Sequence, residues 1–262
     1  MNKKYIDKPV DLMNERDIDA IFIAPSEDMG FLIGISPHLC ERYSGLYITK
    51  KGELFYIAPL LSREEIQEAL GENKVYAWAD GDGFLDTLKQ AYKDFDLIGR
   101  IIGVDGTARA CNLLDIANYM DVKFVNAKST VEDMRIQKSN EEIDALRKAA
   151  HIADDVYEEL CKFIKPGLKE KNIADKIIDL FKERGCPISF PPIVASGPNS
   201  SRPHYNGDQR VIEEQDIIIL DFGCVYKGFC SDMSRTVFVG DITEEQKRVY
   251  DIVDRSNKAG EE

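Results

Sequence analysis

Two apolar runs near the end of this chain, each carrying a carboxylate, constrain its fold more than any other feature. Residues 216–224 read DIIILDFGC, and residues 228–239 read GFCSDMSRTVFV. The first is a short, nearly continuous apolar run bounded by turn residues, the pattern of a strand buried on both faces, and the second reads as its antiparallel return. A tight loop must join them. If that loop is residues 225–228, with Gly228 at positive φ, Cys224 pairs with Phe229 and Asp221 faces Asp232. A three-residue loop would shift the register by one.

Two carboxylates opposed at ~5 Å repel by roughly 3 kcal/mol at an effective dielectric of 20, and like charges facing across a ladder are normally avoided. A single strand-end aspartate is readily explained by a bond to a local turn. The pair is harder to explain, because Asp221 and Asp232 lie among isoleucine, leucine, phenylalanine and valine, and charge this close to a core is rarely left unpaired. A positive partner is expected between them. Arg235 is the local candidate, but three residues along a strand from Asp232 it points to the opposite face. Two carboxylates suit a hard divalent ion and leave its coordination shell incomplete, so further ligands must come from elsewhere.

Upstream lies IVASGPNSSRPHY at 193–205, followed by LDFG at 220–223 and CSDMSRT at 230–236. These three blocks, at these spacings, resemble the first half of the catalytic domain in Xaa-Pro peptidases, the prolidases and aminopeptidases P of the dinuclear pita-bread metallopeptidases. The resemblance implies that Asp221 is a ligand of one metal ion and that Asp232 bridges two. It also implies that His204 lines the active site and contacts substrate without binding metal. Phe190 stands where aminopeptidase P relatives carry tyrosine and dipeptidase-type relatives often carry phenylalanine, which favours a dipeptidase. Read without these neighbours, His204 would be an ordinary solvated loop histidine and Phe190 a packing residue beside Pro191 and Pro192. His38 and His151 have no ligand-like spacing around them and read as structural.

The family's remaining ligands, a histidine and two glutamates on later strands, and a second active-site histidine have no counterpart among these 262 residues. The expectation is therefore the first half of a pita-bread domain, C-terminally incomplete, with no general base identifiable and no activity by itself. Its last stretch, 243–255, opens like a capped helix with Val249, Ile252 and Val253 on one face.

Residues 1–126 alternate strand-like and helix-like segments. Strands are expected at 19–24, 30–35, 45–49, 53–58, 74–79, 100–104 and 123–126, with helices at 62–70, 84–95 and 108–120. This is an α/β domain, a mixed sheet with helices, and its position before the catalytic blocks makes it resemble the creatinase-type amino-terminal domain. Such domains usually narrow the catalytic cleft and so favour short peptides. The α+β catalytic half is then 127–262, entered through a polar link at 127–138. Ser139 and Glu142 have capping-box spacing, and Ile143, Leu146, Ala150, Ala153, Val156, Tyr157, Leu160 and Ile164 stripe one face of a long helix. A second helix over 169–184 turns Ile173, Ile177, Leu180 and Phe181 inward and stops at Gly185.

Composition excludes several classes of partner. A net charge of -13 argues against nonspecific binding to nucleic acid or to anionic membrane. No apolar run approaches the roughly 18 residues of a membrane-spanning helix, and the start MNKKYIDK lacks a signal-peptide core, so a cytoplasmic location is expected. Six cysteines without a Cys-x-x-Cys spacing read as thiols, with Cys224 and Cys230 as small buried apolar residues.

The resemblance implies hydrolysis of the bond before proline in short peptides, with two divalent ions, commonly manganese and alternatively cobalt or zinc. Relatives are often homodimers, though no interface is legible in the residues. Two alternatives stay open at this point: a creatinase-like small-molecule hydrolase, and a noncatalytic binding or regulatory member of the family.

Overall fold

The computed structural model describes residues 4–35 and 40–261, so His38 lies outside the described residues. The chain divides into two compact units, Met1–Gln137 and Lys138–Glu262. This division falls later than the 126/127 boundary expected from sequence.

The first unit runs α1 (Lys4–Glu15), β1 (Ala20–Ile23), α2 (Glu27–Ile33), β2 (Gly45–Thr49), β3 (Leu54–Pro59), α3 (Arg63–Leu70), β4 (Lys74–Trp78), α4 (Leu85–Asp94), β5 (Ile101–Val104), α5 (Ala110–Tyr119), β6 (Lys123–Asn126) and α6 (Lys128–Ile136). Its six strands form one mixed sheet in the order β4-β3-β2-β1-β5-β6. Strand alternation supplies a core on each face. Ile21 and Ile23 of β1 join Met13, Met29, Ile66 and Met134 from helices on one side. Ala20 and Phe22 join Tyr47, Leu88, Tyr92 and Ile116 on the other.

Two expectations fail here for identifiable reasons. Residues 30–35 form no strand: Ser26 accepts from the Met29 amide at 3.4 Å, acidic Glu27 and Asp28 occupy the first turn, and Gly34 closes α2 at φ 80°. Met29, Leu32 and Ile33 then bury at helical spacing. The supposed polar link at 127–138 contains α6, which buries Val131 and Met134 in the first core. Arg16 of α1 donates to Thr130 Oγ1 at 2.6 Å and to Asp133 Oδ2 at 2.5 Å, tying that helix back to the unit.

The second unit contains α7 (Asn140–Phe163), α8 (Glu170–Glu183), β7 (Ile193–Ser196), β8 (Ile217–Phe222), β9 (Val225–Tyr226), β10 (Phe229–Cys230), β11 (Met233–Phe238) and α9 (Glu244–Glu261). The capping box expected at Ser139 and Glu142 is formed in both directions. A three-stranded antiparallel sheet, β11-β8-β7, packs one face on α7 and α8. Ile218, Leu220 and Phe222 of β8 are buried there against Ile152, Val156, Ile177 and Phe181. The strand is not buried on both faces, because Ile217, Ile219 and Asp221 are only half-buried on the other. Arg235 lies on the helical side, as alternation requires, with its guanidinium 3.6 Å from Asp154 of α7 and over the Tyr157 ring.

The hairpin register differs from the expected one. Asp221 pairs with Ser234, and farther out Tyr226 pairs with Phe229. The turn is therefore the two residues Lys227 and Gly228, with φ of 51° and 82°, the paired positive values of a type I′ turn. A shorter loop moves the partner of Asp221 two positions along the strand. Cys230 pairs with Val225 and is exposed, whereas Cys224 is buried, so only one of these two thiols is a core residue.

A lysine at left-handed φ is strained where asparagine is not. Replacing Lys227→Asn should therefore raise stability by about 0.5 to 1 kcal/mol in urea unfolding. A neutral or destabilising result would favour the four-residue loop and its register.

Candidate active site

The two-position shift leaves Asp221 and Asp232 on the same sheet face, because side-chain direction repeats every two residues. They become diagonal neighbours in place of directly opposed ones, and their repulsion is weaker than direct pairing would give. Ser234, opposite Asp221, donates its hydroxyl to Asp221 Oδ1 at 3.1 Å. Asp232 lies just before β11, exposed, with no hydrogen bond or ion pair to the described residues. The ladder is interrupted beside it. The Cys224 amide bonds the Ser231 hydroxyl at 3.0 Å, while the Ser231 carbonyl accepts from the Ser189 hydroxyl at 2.9 Å. Gly223 fits this crossing because a Cβ there would lie 1.9 Å from the Ser231 carbonyl oxygen.

As a donor set, the two carboxylates are hard oxygen ligands, the type that holds manganese or a similar divalent ion. Asp232, unpaired and accessible, fits such an ion. The set is partial: among the described residues no group of three His, Cys, Asp or Glu side chains is placed to hold a metal.

Phe190 is half-buried and directly precedes Pro191 and Pro192, which lead into β7. Its neighbour Ser189 donates its amide to the Gly223 carbonyl at 3.0 Å, and Ile193 pairs with Asp221, so the backbone around Phe190 runs beside the carboxylate-bearing strand. His204 is exposed in a turn closed by the Tyr205 amide on the Arg202 carbonyl at 3.2 Å, with Pro203 at the second position that such turns favour. His151 is on the surface of α7, 3.7 Å from Asp154.

The loop carrying His204 is held by a network that sequence reading missed. Glu170, the first residue of α8, is 1% exposed. Its Oε1 accepts from the Ser196 amide and the Ser196 hydroxyl, each at 2.8 Å, and from Asn199 Nδ2 at 3.1 Å. Its Oε2 accepts from the Tyr205 hydroxyl at 2.8 Å, and Asn199 Nδ2 also donates to that hydroxyl at 2.9 Å. Burial first, and the Glu170 carboxylate second, push the Tyr205 phenol above its ordinary pKa.

Beside this network Arg210 clamps the buried Asp216 with both terminal nitrogens and donates to Ser196 Oγ at 2.9 Å. The hydrogen bond to Asp216 is the main cause holding the Arg210 guanidinium above its usual pKa. Gly197, at φ 50°, passes so near that a Cβ would meet Asp216 Oδ1 at 2.6 Å and Arg210 Nη2 at 2.7 Å. The Ser-Gly-Pro signature at 196–198 was legible in sequence. Its buried partners were not, since a glutamate opening an amphipathic helix ordinarily reads as solvated first-turn charge.

Comparison with known proteins agrees with this layout. A model of metallopeptidase family M24 matches residues 144–262, and one of the creatinase/prolidase N-terminal domain matches residues 6–137. The Xaa-Pro dipeptidase of Pyrococcus furiosus is 31% identical over 266 residues, covering 98% of this chain and 70% of that protein. The uncharacterized peptidase YqhT of Bacillus subtilis is 42% identical over 134 residues, 51% of this chain and 38% of that protein. A crystal structure of prolidase from Thermococcus sibiricus superposes with a TM-score of 0.90 at 31% identity, covering 99% of this chain and 71% of that one.

A creatinase-type N-terminal unit followed by part of a pita-bread unit is thus the architecture. The chain belongs to the Xaa-Pro peptidase family of M24 metallopeptidases.

Arg210 is the main counter-charge to a buried carboxylate, and removing one partner of such a pair costs more than the pair contributes net. Because Arg210 is partly exposed, Arg210→Met should lower the stability of the second unit by about 2 kcal/mol, read as an earlier thermal transition. An unchanged transition would show that Asp216 is adequately held by the Glu213 amide, which donates to it at 2.8 Å.

Proposed function

We propose that the full-length protein is a divalent-metal-dependent Xaa-Pro dipeptidase, cleaving the bond before proline in short peptides. The observation carrying this reading is the placement of Asp221 and Asp232 on one accessible sheet face, within the residues that match family M24. Asp221 and Asp232 would hold the ions, with the Ser234 hydroxyl orienting the Asp221 carboxylate. The chemistry that divalent ions supply when bound is activation of water at neutral pH and polarisation of the scissile carbonyl. Manganese is the ion we assign, since the ligands on this chain are hard oxygens. His204 contacts the substrate from its loop. Phe190 supports the dipeptidase assignment over aminopeptidase P.

Two carboxylates provide fewer than the roughly six ligands of a hard divalent ion. We therefore infer that residues 1–262 alone bind ions weakly and do not turn over. With Ala-Pro at millimolar manganese, this chain should release no proline above a metal-free control. Cleavage that is sensitive to Asp221→Asn would instead show that the site is completed from within these residues.

In the full-length protein, Asp232→Asn should abolish manganese-dependent hydrolysis of Ala-Pro while leaving the circular dichroism spectrum unchanged, and wild-type turnover at saturating metal would refute the assignment. His204→Ala should lower kcat/KM by about a hundredfold with unchanged metal stoichiometry. Loss of metal in that variant would make His204 a ligand and not a substrate contact.

A further inference from the structure

We propose that Glu170 is a positioning residue for His204: its buried carboxylate ties β7, the 3₁₀ turn Gly197–Ser201 and Tyr205 to the start of α8, fixing the Arg202–Tyr205 turn that presents the histidine. The inference rests on the reading of His204 as a substrate contact and deepens it.

The hydrogen-bond arithmetic is specific to a carboxylate. Four donors converge on Glu170: the Ser196 amide, the Ser196 hydroxyl, the Asn199 amide group and the Tyr205 hydroxyl. The Asn199 Nδ2 group also donates to the Tyr205 oxygen, so the Tyr205 proton is directed to Glu170. A carboxylate only accepts and satisfies all four. A glutamine in the same place has one acceptor oxygen and one amide nitrogen. With its oxygen on Ser196 and Asn199, its nitrogen faces the Tyr205 oxygen, and the phenolic proton loses its acceptor. The bond lost is the one adjacent in sequence to His204.

Helix packing makes Glu170 a fixed reference point. Ile173, Ile177, Leu180 and Phe181 bury α8 in the core of the second unit. The Lys169 amide bonds Asn172 Oδ1 at 2.8 Å, and the Glu170 and Lys171 amides bond the carbonyls of Arg210 at 3.0 Å and Asp208 at 2.9 Å. Both ends of the loop are thus fastened to the first turn of α8, and the Tyr205 hydroxyl is the side-chain link between that turn and the tip of the loop.

The test uses the full-length protein with Ala-Pro and manganese, comparing Glu170→Gln in the wild-type and His204→Ala backgrounds. Displacing a substrate-contacting group costs on the order of tenfold to a hundredfold in rate, so Glu170→Gln should lower kcat/KM by about that factor when His204 is present. It should add less than about threefold when His204 is already alanine, because residues acting as a unit are non-additive. Metal stoichiometry should not change. Tyr205→Phe, which removes the same bond while retaining the carboxylate, should reproduce the effect and covers the case in which Glu170→Gln fails to fold. Equal losses in both backgrounds, or loss of bound metal, would overturn the proposal and leave Glu170 a general support of the fold. A silent Glu170→Gln beside a damaging His204→Ala would sink this inference alone, whereas a silent His204→Ala would remove the substrate-contact reading itself.

Discussion

The pairing of β8 with β11 is the constraint on which the second unit depends. Its period of two sends Ile218, Leu220 and Phe222 into the core formed with α7 and α8, and it turns Ile217, Ile219 and Asp221 the other way. At roughly 25 cal/mol per Å² of apolar surface, burying those three side chains contributes several kcal/mol. A one-residue slip would forfeit that burial and drive Asp221 into the core. A two-residue slip preserves it, which is why the placement of the carboxylates survives a loop shorter than expected while their direct opposition does not. Core packing fixes the face, and the turn at Lys227 and Gly228 fixes the position along it.

What could be read from residues alone follows from how local each signal is. The long helix α7 was legible down to its cap because Ser139 and Glu142 act within one turn, but its inward face was only partly legible: Ala153, Val156 and Leu160 are buried as expected, whereas Ala150 is exposed and Ala145, Ala149 and Ile152 take core positions. The strands of the first unit were legible as β-rich segments, since Ile21 with Ile23 and Ala20 with Phe22 fill two separate cores. Helix α2 was not, because a short apolar run such as Phe31-Leu32-Ile33 suits either period and Ser26 and Gly34 decide between them. The hairpin register needed two φ values that the residue types only hint at, and lysine at positive φ hints against the observed turn.

In the candidate site, Asp221 and Asp232 stood out because carboxylates among apolar residues call for an explanation. The groups that hold the surrounding loop did not stand out. Glu170, Arg210 and Asp216 acquire meaning only from partners far off in sequence: Ser196 and Tyr205 for the first, and a mutual clamp for the other two. A buried charge advertises itself in a strand, where apolar neighbours frame it. At the start of a helix or in a polar loop the same residue looks solvated. Sequence therefore located the carboxylate-bearing face and overlooked the groups that hold the loop beside it.

Those supports tie the His204 loop to the hydrophobic core. The face of α8 that packs on β8 and the carboxylate that opens α8 belong to one rigid element, so burial of Ile177, Leu180 and Phe181 sets the point from which Glu170 holds Tyr205. The strand carrying Asp221 is fixed by the same core through Leu220 and Phe222. The aspartate and the histidine loop thus take their positions from one packed layer by two routes, one through strand alternation and one through a buried hydrogen-bonded carboxylate. A loop fastened only by its own turns would wander on the scale of ångströms, and under the role proposed for His204 an error of about 1 Å would cost about a hundredfold in rate. Fully satisfying a buried carboxylate offsets its desolvation and supplies that precision, which an apolar residue at the start of α8 would not.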